Sequence, residues 1–145
     1  MRHLPSKMAG DGEGATALFE VKVVGAESIK QAKTLAKSVV CSNLTKAAIA
    51  GHDANWGKEF SVQWDIPVYS LIRKRWICSL KVRLESFRLL KNGVATDYSE
   101  EVATKILSEP EITATADIKM GDYSATAWGC DLTHEYININ ADYRS

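Results

Sequence analysis

Two periods of apolar residues alternate along the chain. Leu18 to Val24 (LFEVKVV) is rich in apolar and β-branched residues and reads as a strand. Ala26 to Val40 then places Ile29, Ala32, Leu35, Ala36 and Val39 on one helical face, opposite Lys30, Lys33 and Lys37, with Asn43 as a C-terminal cap. Leu44 to Ala50 is short and apolar, and Gly51 to Gly57 (GHDANWG) is turn-like. Lys91-Asn92-Gly93 carries a hairpin-type turn signal. Ser99 to Leu107 has the pattern of a capped helix: Ser99 at the N-cap, Glu100 and Glu101 in the first turn, and Val102, Ile106 and Leu107 on one face. Pro110 closes it. Glu111 to Ile118 (EITATADI) alternates as a half-buried strand, Gly121-Asp122 is a turn, and Ser124 to Cys130 reads as the returning strand. His134 to Ala141 (HEYININA) alternates again, the strand period. These elements predict an α+β domain, an antiparallel sheet with packed helices.

Lys58 to Arg88 breaks this regularity. It holds Trp64, Trp76 and the cluster Arg73-Lys74-Arg75, and follows neither period.

Composition narrows the class. The 145 residues include 18 basic and 18 acidic side chains and are 46% hydrophobic, the profile of one soluble globular domain with a real core. Balanced charge argues against a generic nucleic-acid or membrane-surface binder, which a basic field usually recruits. No apolar run approaches the roughly 20 residues that span a bilayer. Met1 to Met8 carries Arg2 and Lys7 but no apolar h-region, so it does not read as a signal peptide. Cys41, Cys78 and Cys130 are odd in number and widely spaced, which points to a reducing, cytoplasmic setting without a disulfide framework or a CxxC metal site.

Candidate chemistry is sparse. Gly10 to Gly14 reads GDGEG, but phosphate loops need a strand before the glycines and a helix after them, and here a strand follows. The plain alternative is a tight loop with glycines at positive φ. Glu13 nonetheless sits between two glycines with little local bulk, an arrangement suited to binding an ammonium group. His52-Asp53 and His134-Glu135 lack the spacing of a metal motif and read as surface histidines. Cys130 has no activating neighbour in sequence and reads as a buried thiol. Arg73-Lys74-Arg75-Trp76 is a single short basic cluster in a neutral chain, weak grounds for nucleic-acid binding.

Four stretches, in order, carry a resemblance: AGDGEGATALFEVKVVGA (Ala9 to Ala26), LTKAAIAGHDANWG (Leu44 to Gly57), MGDYSATAWGCDLT (Met120 to Thr133) and ININADYRS (Ile137 to Ser145). Together they resemble the β-chain of the bifunctional glutamate N-acetyltransferase/ornithine acetyltransferases of arginine biosynthesis. The resemblance implies an N-terminal-nucleophile-like acetyltransferase fold and a precursor that cleaves itself before a threonine. That threonine would take acetyl from N-acetylornithine and pass it to glutamate; its own amine can serve as base. It implies no cofactor, with acetyl-CoA as a donor in some members, and a heterotetramer of two α and two β chains. The cleavage motif, nucleophile and oxyanion donors of the family lie upstream of anything present, so no catalytic residue is expected in this chain. The α-chain and the upstream β-chain portion would be its missing partners. Residue by residue, Glu13 falls at the family's acidic substrate-binding position, and Asn140 and Ser145 at the two others. Amide and hydroxyl groups there would hydrogen-bond the substrate's α-carboxylate or α-amino group; for Asn140 the competing reading is a strand-end cap. The chain is thus expected either to complete an active site supplied elsewhere or to stand as an inactive, truncated domain.

The resemblance fails between residues 58 and 87. After Asn55-Trp56-Gly57 the family continues with something like RILCAMGYSGV, where this chain reads KEFSVQWDIPV. The segment is compatible with the family's own sequence read in a shifted frame. Trp64 has one codon, TGG, so a frame starting on its last base and running into Asp65 forces glycine. Ile66 to Tyr69 then allow the rest of GYSGV, and the last base of Trp76 with Ile77 forces aspartate where the family has it. Ordinary divergence or an insertion is the competing reading. A wrong-frame segment would carry no binary pattern, would leave Arg73-Lys74-Arg75 without a role and would pack poorly.

Overall fold

The computed structural model describes residues 9, 11–53, 77–81, 86–91, 94–97 and 99–142, of which 77–81, 86–90, 94–95 and 142 are described by their main chain alone. Met1 to Lys7, residues 58–76 with the Arg73-Lys74-Arg75 cluster, and Ser145 lie outside the described residues.

Among the described residues ten elements follow one another: β1 (Leu18–Ala26), α1 (Ile29–Val40), α2 (Asn43–Ala50), β2 (Ile77–Lys81), β3 (Ser86–Lys91), β4 (Val94–Ala95), α3 (Glu100–Leu107), β5 (Glu111–Asp117), β6 (Tyr123–Cys130) and α4 (His134–Asp142). The strands form one sheet in the order β4-β3-β2-β5-β1-β6. The α+β class expected from the sequence holds. The sheet is mixed rather than wholly antiparallel, because β1 and β5 pair in parallel, Phe19 opposite Ile112 and Val21 opposite Ala114. The remaining pairs are antiparallel.

The two periods sort the sheet's faces. Phe19, Val21 and Val23 of β1 and Ile112, Ala114 and Ala116 of β5 are buried on one face. Alanines 125 and 127 of β6 extend that face, since Ala127 lies opposite Val21 and Ala125 opposite Val23. Helix α1 covers it with Ala32, Leu35, Ala36 and Val39, the face read from the sequence except that Ile29 is half exposed. Helix α3 contributes Ala103, Ile106 and Leu107, with Val102 of the expected face exposed instead, and α2 contributes Ile49. Alanines in the strands let α1 approach closely; a Cβ added at Gly129 would sit 3.2 Å from Val40. On the other face the cross-strand pair Glu20 and Trp128 is joined by Trp128 Nε1 donating to Glu20 Oε2 at 2.7 Å.

Local chemistry fixes the helix ends. Ser28 Oγ accepts the N–H of Gln31 at 3.1 Å while Gln31 Oε1 accepts that of Glu27 at 2.8 Å, close to a capping box, so α1 begins at Ile29 rather than Ala26. Ser42 Oγ accepts the N–H of Thr45, so Asn43 opens α2 instead of capping α1. Ser99 caps α3 as its sequence predicts, accepting from Val102. Lys91 and Val94 pair across antiparallel β3 and β4, as a hairpin requires, while Asn92 and Gly93 themselves lie outside the described residues.

One element is overturned. His134 to Ala141 is not a strand but most of α4. Thr133 Oγ1 accepts the N–H of Tyr136 at 3.2 Å and Glu135 lies in the first turn, so N-terminal capping and charge prevail over a short alternation. Asn140 is accordingly a helical residue, and the strand-end cap reading falls.

Within the irregular segment 58–87, Ile77–Lys81 pairs with both β5 and β3. Ladder bonds are main-chain bonds, open to any residue but proline, so this pairing suits either frame of the gene.

Candidate substrate-binding site

The glycine-rich loop is a turn wedged between two other parts of the chain. The N–H of Ala15 donates to the carbonyl of Gly12 at 3.0 Å, closing a four-residue turn around Glu13 and Gly14. Gly14 sits at φ +68°, the conformation a type II turn needs at its third residue. A Cβ there would also lie 2.8 Å from the main-chain nitrogen of Tyr136 and 3.0 Å from the carbonyl carbon of Glu135. At Gly12 a Cβ would meet Cys130 Sγ at 2.7 Å. Gly12 and Gly14 are therefore accounted for by a positive φ and by two close approaches, Gly10 lies outside the described residues, and β1, not a helix, follows the loop.

Two residues that the sequence reading passed over hold this loop. Asp131, buried just past the end of β6, accepts the N–H of Thr16 at 2.9 Å and that of Ala17 at 3.1 Å through Oδ1, and the Thr16 hydroxyl through Oδ2. Its own N–H returns to the carbonyl of Ala17 at 3.2 Å. Thr133 donates its hydroxyl hydrogen to the carbonyl of Gly14 at 2.6 Å while capping α4. The signal was present in Asp131-Leu132-Thr133: two short polar side chains directly after a strand, the second followed two residues on by Glu135.

Glu13 is exposed at the corner of this turn. Asn140 is exposed on α4 and donates Nδ2–H to the carbonyl of Tyr136 at 2.8 Å. Because Gly14 lies against Tyr136, the turn bearing Glu13 sits beside the first turn of the helix that carries Asn140, about 6 Å further along its axis. The fold thus brings two of the three sequence-derived site residues to neighbouring elements; the third, Ser145, lies outside the described residues.

Beside the loop lies a cleft of about 710 Å³. Thr16, His52, Glu109, Thr133, His134 and Ile137 line it, together with small apolar residues of α2. Neither Glu13 nor Asn140 lines it; Thr16 and Thr133, which take part in holding the loop, do. The two histidine pairs noted in the sequence thus meet one cleft through His52 and His134. Among the described residues no group of three or more His, Cys, Asp or Glu side chains is placed to hold a metal ion. Cys130 is half-buried against Gly12, and Cys41 is exposed; both are free thiols. Among the described residues no helix is long and apolar enough to cross a membrane.

Comparison with known proteins finds close relatives. A model of the ArgJ family matches residues 1–145. An arginine biosynthesis bifunctional protein ArgJ of Symbiobacterium thermophilum is 40% identical over 149 residues, covering 99% of this chain and 34% of that protein. A glutamate N-acetyltransferase of Methanosarcina mazei is 42% identical over 144 residues, covering 97% of this chain and 35% of its own length. The crystal structure of the arginine biosynthesis bifunctional protein ArgJ from Bacillus halodurans superposes with a TM-score of 0.84 at 37% identity, over 95% of this chain and 63% of that one. The chain spans about a third of the length of these curated relatives.

Proposed function

The chain belongs to the ArgJ family, and from that premise we propose that it supplies the amino-acid-binding side of an acetyltransferase site of arginine biosynthesis, without the nucleophile. In this reading a threonine on the upstream part of the protein attacks the acetyl carbonyl of N-acetylornithine. Ornithine leaves with its amine, and the acetyl ester passes to the amine of glutamate, or is formed from acetyl-CoA where that is the donor. Glu13 offers a carboxylate to an ammonium group of the amino-acid substrate. Asn140 and Ser145 offer amide and hydroxyl groups to its carboxylate. The upstream portions, paired as two α and two β chains in the cytoplasm, complete the assembly; the chain alone does not turn over.

The observation that carries this reading is the seating of Gly14 on Tyr136, which sets the Glu13 turn against the helix bearing Asn140. Titration of the purified chain with N-acetylornithine and, separately, with glutamate tests it. The reading expects binding of at least one, weakened about tenfold or more by Glu13→Ala, the loss of one charge-assisted pair. Absence of binding to both, or equal binding by Glu13→Ala, overturns it.

A further inference from the structure

The Thr133 hydroxyl is used twice. Its oxygen accepts the N–H of Tyr136 at 3.2 Å, which starts α4, and its hydrogen goes to the carbonyl of Gly14 at 2.6 Å. Capping alone needs only an acceptor, and aspartate serves that purpose as well as threonine. A hydroxyl can accept and donate at once, whereas a carboxylate only accepts. The second bond is therefore a feature that capping does not require, and it ends on the residue next to Glu13.

The turn is also held from its other side. Asp131 fixes Thr16 and Ala17, just beyond Ala15. Between that anchor and Thr133 lie Gly14 and Ala15, the first of them in the left-handed region open mainly to glycine. With one anchor removed, a glycine-flanked turn has many conformations available, and the Glu13 carboxylate would move with it.

We propose that Thr133 is a positioning residue for substrate recognition: its hydroxyl locks the Glu13 turn to the first turn of α4 and so fixes the spacing between Glu13 and Asn140. This inference rests on the reading of Glu13 and Asn140 as substrate-binding residues. Glu13 presents the carboxylate, and Thr133 decides where that carboxylate stands.

The two bonds can be separated by substitution. Thr133→Ser keeps both, Thr133→Asp keeps the cap and loses the donor, and Thr133→Val loses both. Each variant of the chain is titrated with N-acetylornithine, with exchange of the Tyr136 amide hydrogen followed by NMR to monitor the helix start. Thr133→Ser binds within about twofold of the parent. Thr133→Asp binds about five- to tenfold more weakly while the Tyr136 amide stays protected, the cost of one hydrogen bond to a pre-organised turn. The added negative charge attracts the ligand's ammonium group and repels its carboxylate, so the titration is repeated at high salt, where a loss that persists does not come from charge. Thr133→Val loses both binding and protection. Equal binding by parent and Thr133→Asp overturns the inference and leaves the proposed function standing. Failure of the parent itself to bind overturns the proposed function and this inference with it. Where Thr133→Asp does not fold, Thr133→Val decides: a loss of binding with the α4 amides beyond Tyr136 still protected supports the inference, and binding equal to the parent, or a loss together with the helix, overturns it.

Discussion

Asp131 Oδ1 accepts the main-chain N–H of Thr16 at 2.9 Å across 115 residues of chain. The bond ties the loop before β1 to the residue after β6, and two more bonds from Thr16 and Ala17 reach the same carboxylate. Asp131 is 3% exposed, while its partners are less sheltered: Ala17 is half-buried and Thr16 exposed, so water replaces part of what the carboxylate supplies when it is removed. Asp131→Ala is expected to destabilise the chain by about 1–2 kcal/mol, the cost of three part-buried donors losing a charged acceptor. Urea denaturation of the parent and variant measures this; a change below about 0.5 kcal/mol, the range of ordinary surface substitutions, would leave Asp131 without the anchoring role given to it.

The glycines of the loop differ in what they tolerate. Gly14 combines φ +68° with a backbone neighbour 2.8 Å from the missing Cβ. Gly14→Ala is expected to cost about 1–3 kcal/mol through backbone strain and to weaken amino-acid binding by displacing Glu13. Gly51 is the control: it ends α2 at φ −84°, and the nearest atom to an added Cβ is 3.4 Å away. Gly51→Ala should leave stability unchanged or raise it by about 0.4–1 kcal/mol. Thermal unfolding of both variants checks the ordering.

Much of the fold could be read from the sequence, and the exceptions share a cause. β5 shows in the alternation of its side chains because one face of the sheet is buried, β1 in its run of apolar and β-branched residues, and β6 as the strand returning after the Gly121-Asp122 turn. α1 and α3 show through the period of their buried faces. α4 did not, because Tyr136 and Ile137 are exposed and its apolar residues mark no buried stripe; only the cap at Thr133 betrayed it. The parallel pairing of β1 with β5 was equally hidden, since strand direction depends on chain connection and not on side-chain pattern. In the site, Glu13 was legible by its setting among glycines. Asp131 and Thr133 were not singled out, because their bonds to the glycine-rich loop span more than 110 residues of chain, and only the local cap of Thr133 on Tyr136 left a sequence signal.

Asn140 allows stability and binding to be told apart. It is exposed, in a helix, and bonds only to the carbonyl one turn back among the contacts described. Alanine has the higher helix propensity, so Asn140→Ala should leave stability unchanged or raise it by up to about 0.7 kcal/mol. Binding of N-acetylornithine should fall in the same variant. A parallel loss of both would make Asn140 a structural residue.

Residues 58–87 carry a prediction about the gene. If the segment is a shifted frame, fresh sequencing finds one base gained or lost on each side of it, and the corrected frame restores GYSGV after Gln63. Codons at Trp64 to Tyr69 that are confirmed and cannot encode GYSGV in the shifted frame rule this out. With the frame restored, a corrected chain should unfold at a higher temperature than the present one, because an apolar pattern matched to the sheet replaces one that is not.

That this chain holds substrate-side residues of an acetyl-transfer site, and not its nucleophile, is open to one direct measurement. Acetyl transfer from N-acetylornithine to glutamate is followed for the purified chain alone and for the chain co-purified with the upstream portion of the Symbiobacterium relative. The expected result is no turnover above the uncatalysed background from the chain alone and turnover from the pair. Robust transfer by the chain alone, or a stable co-purified pair without transfer, would contradict it.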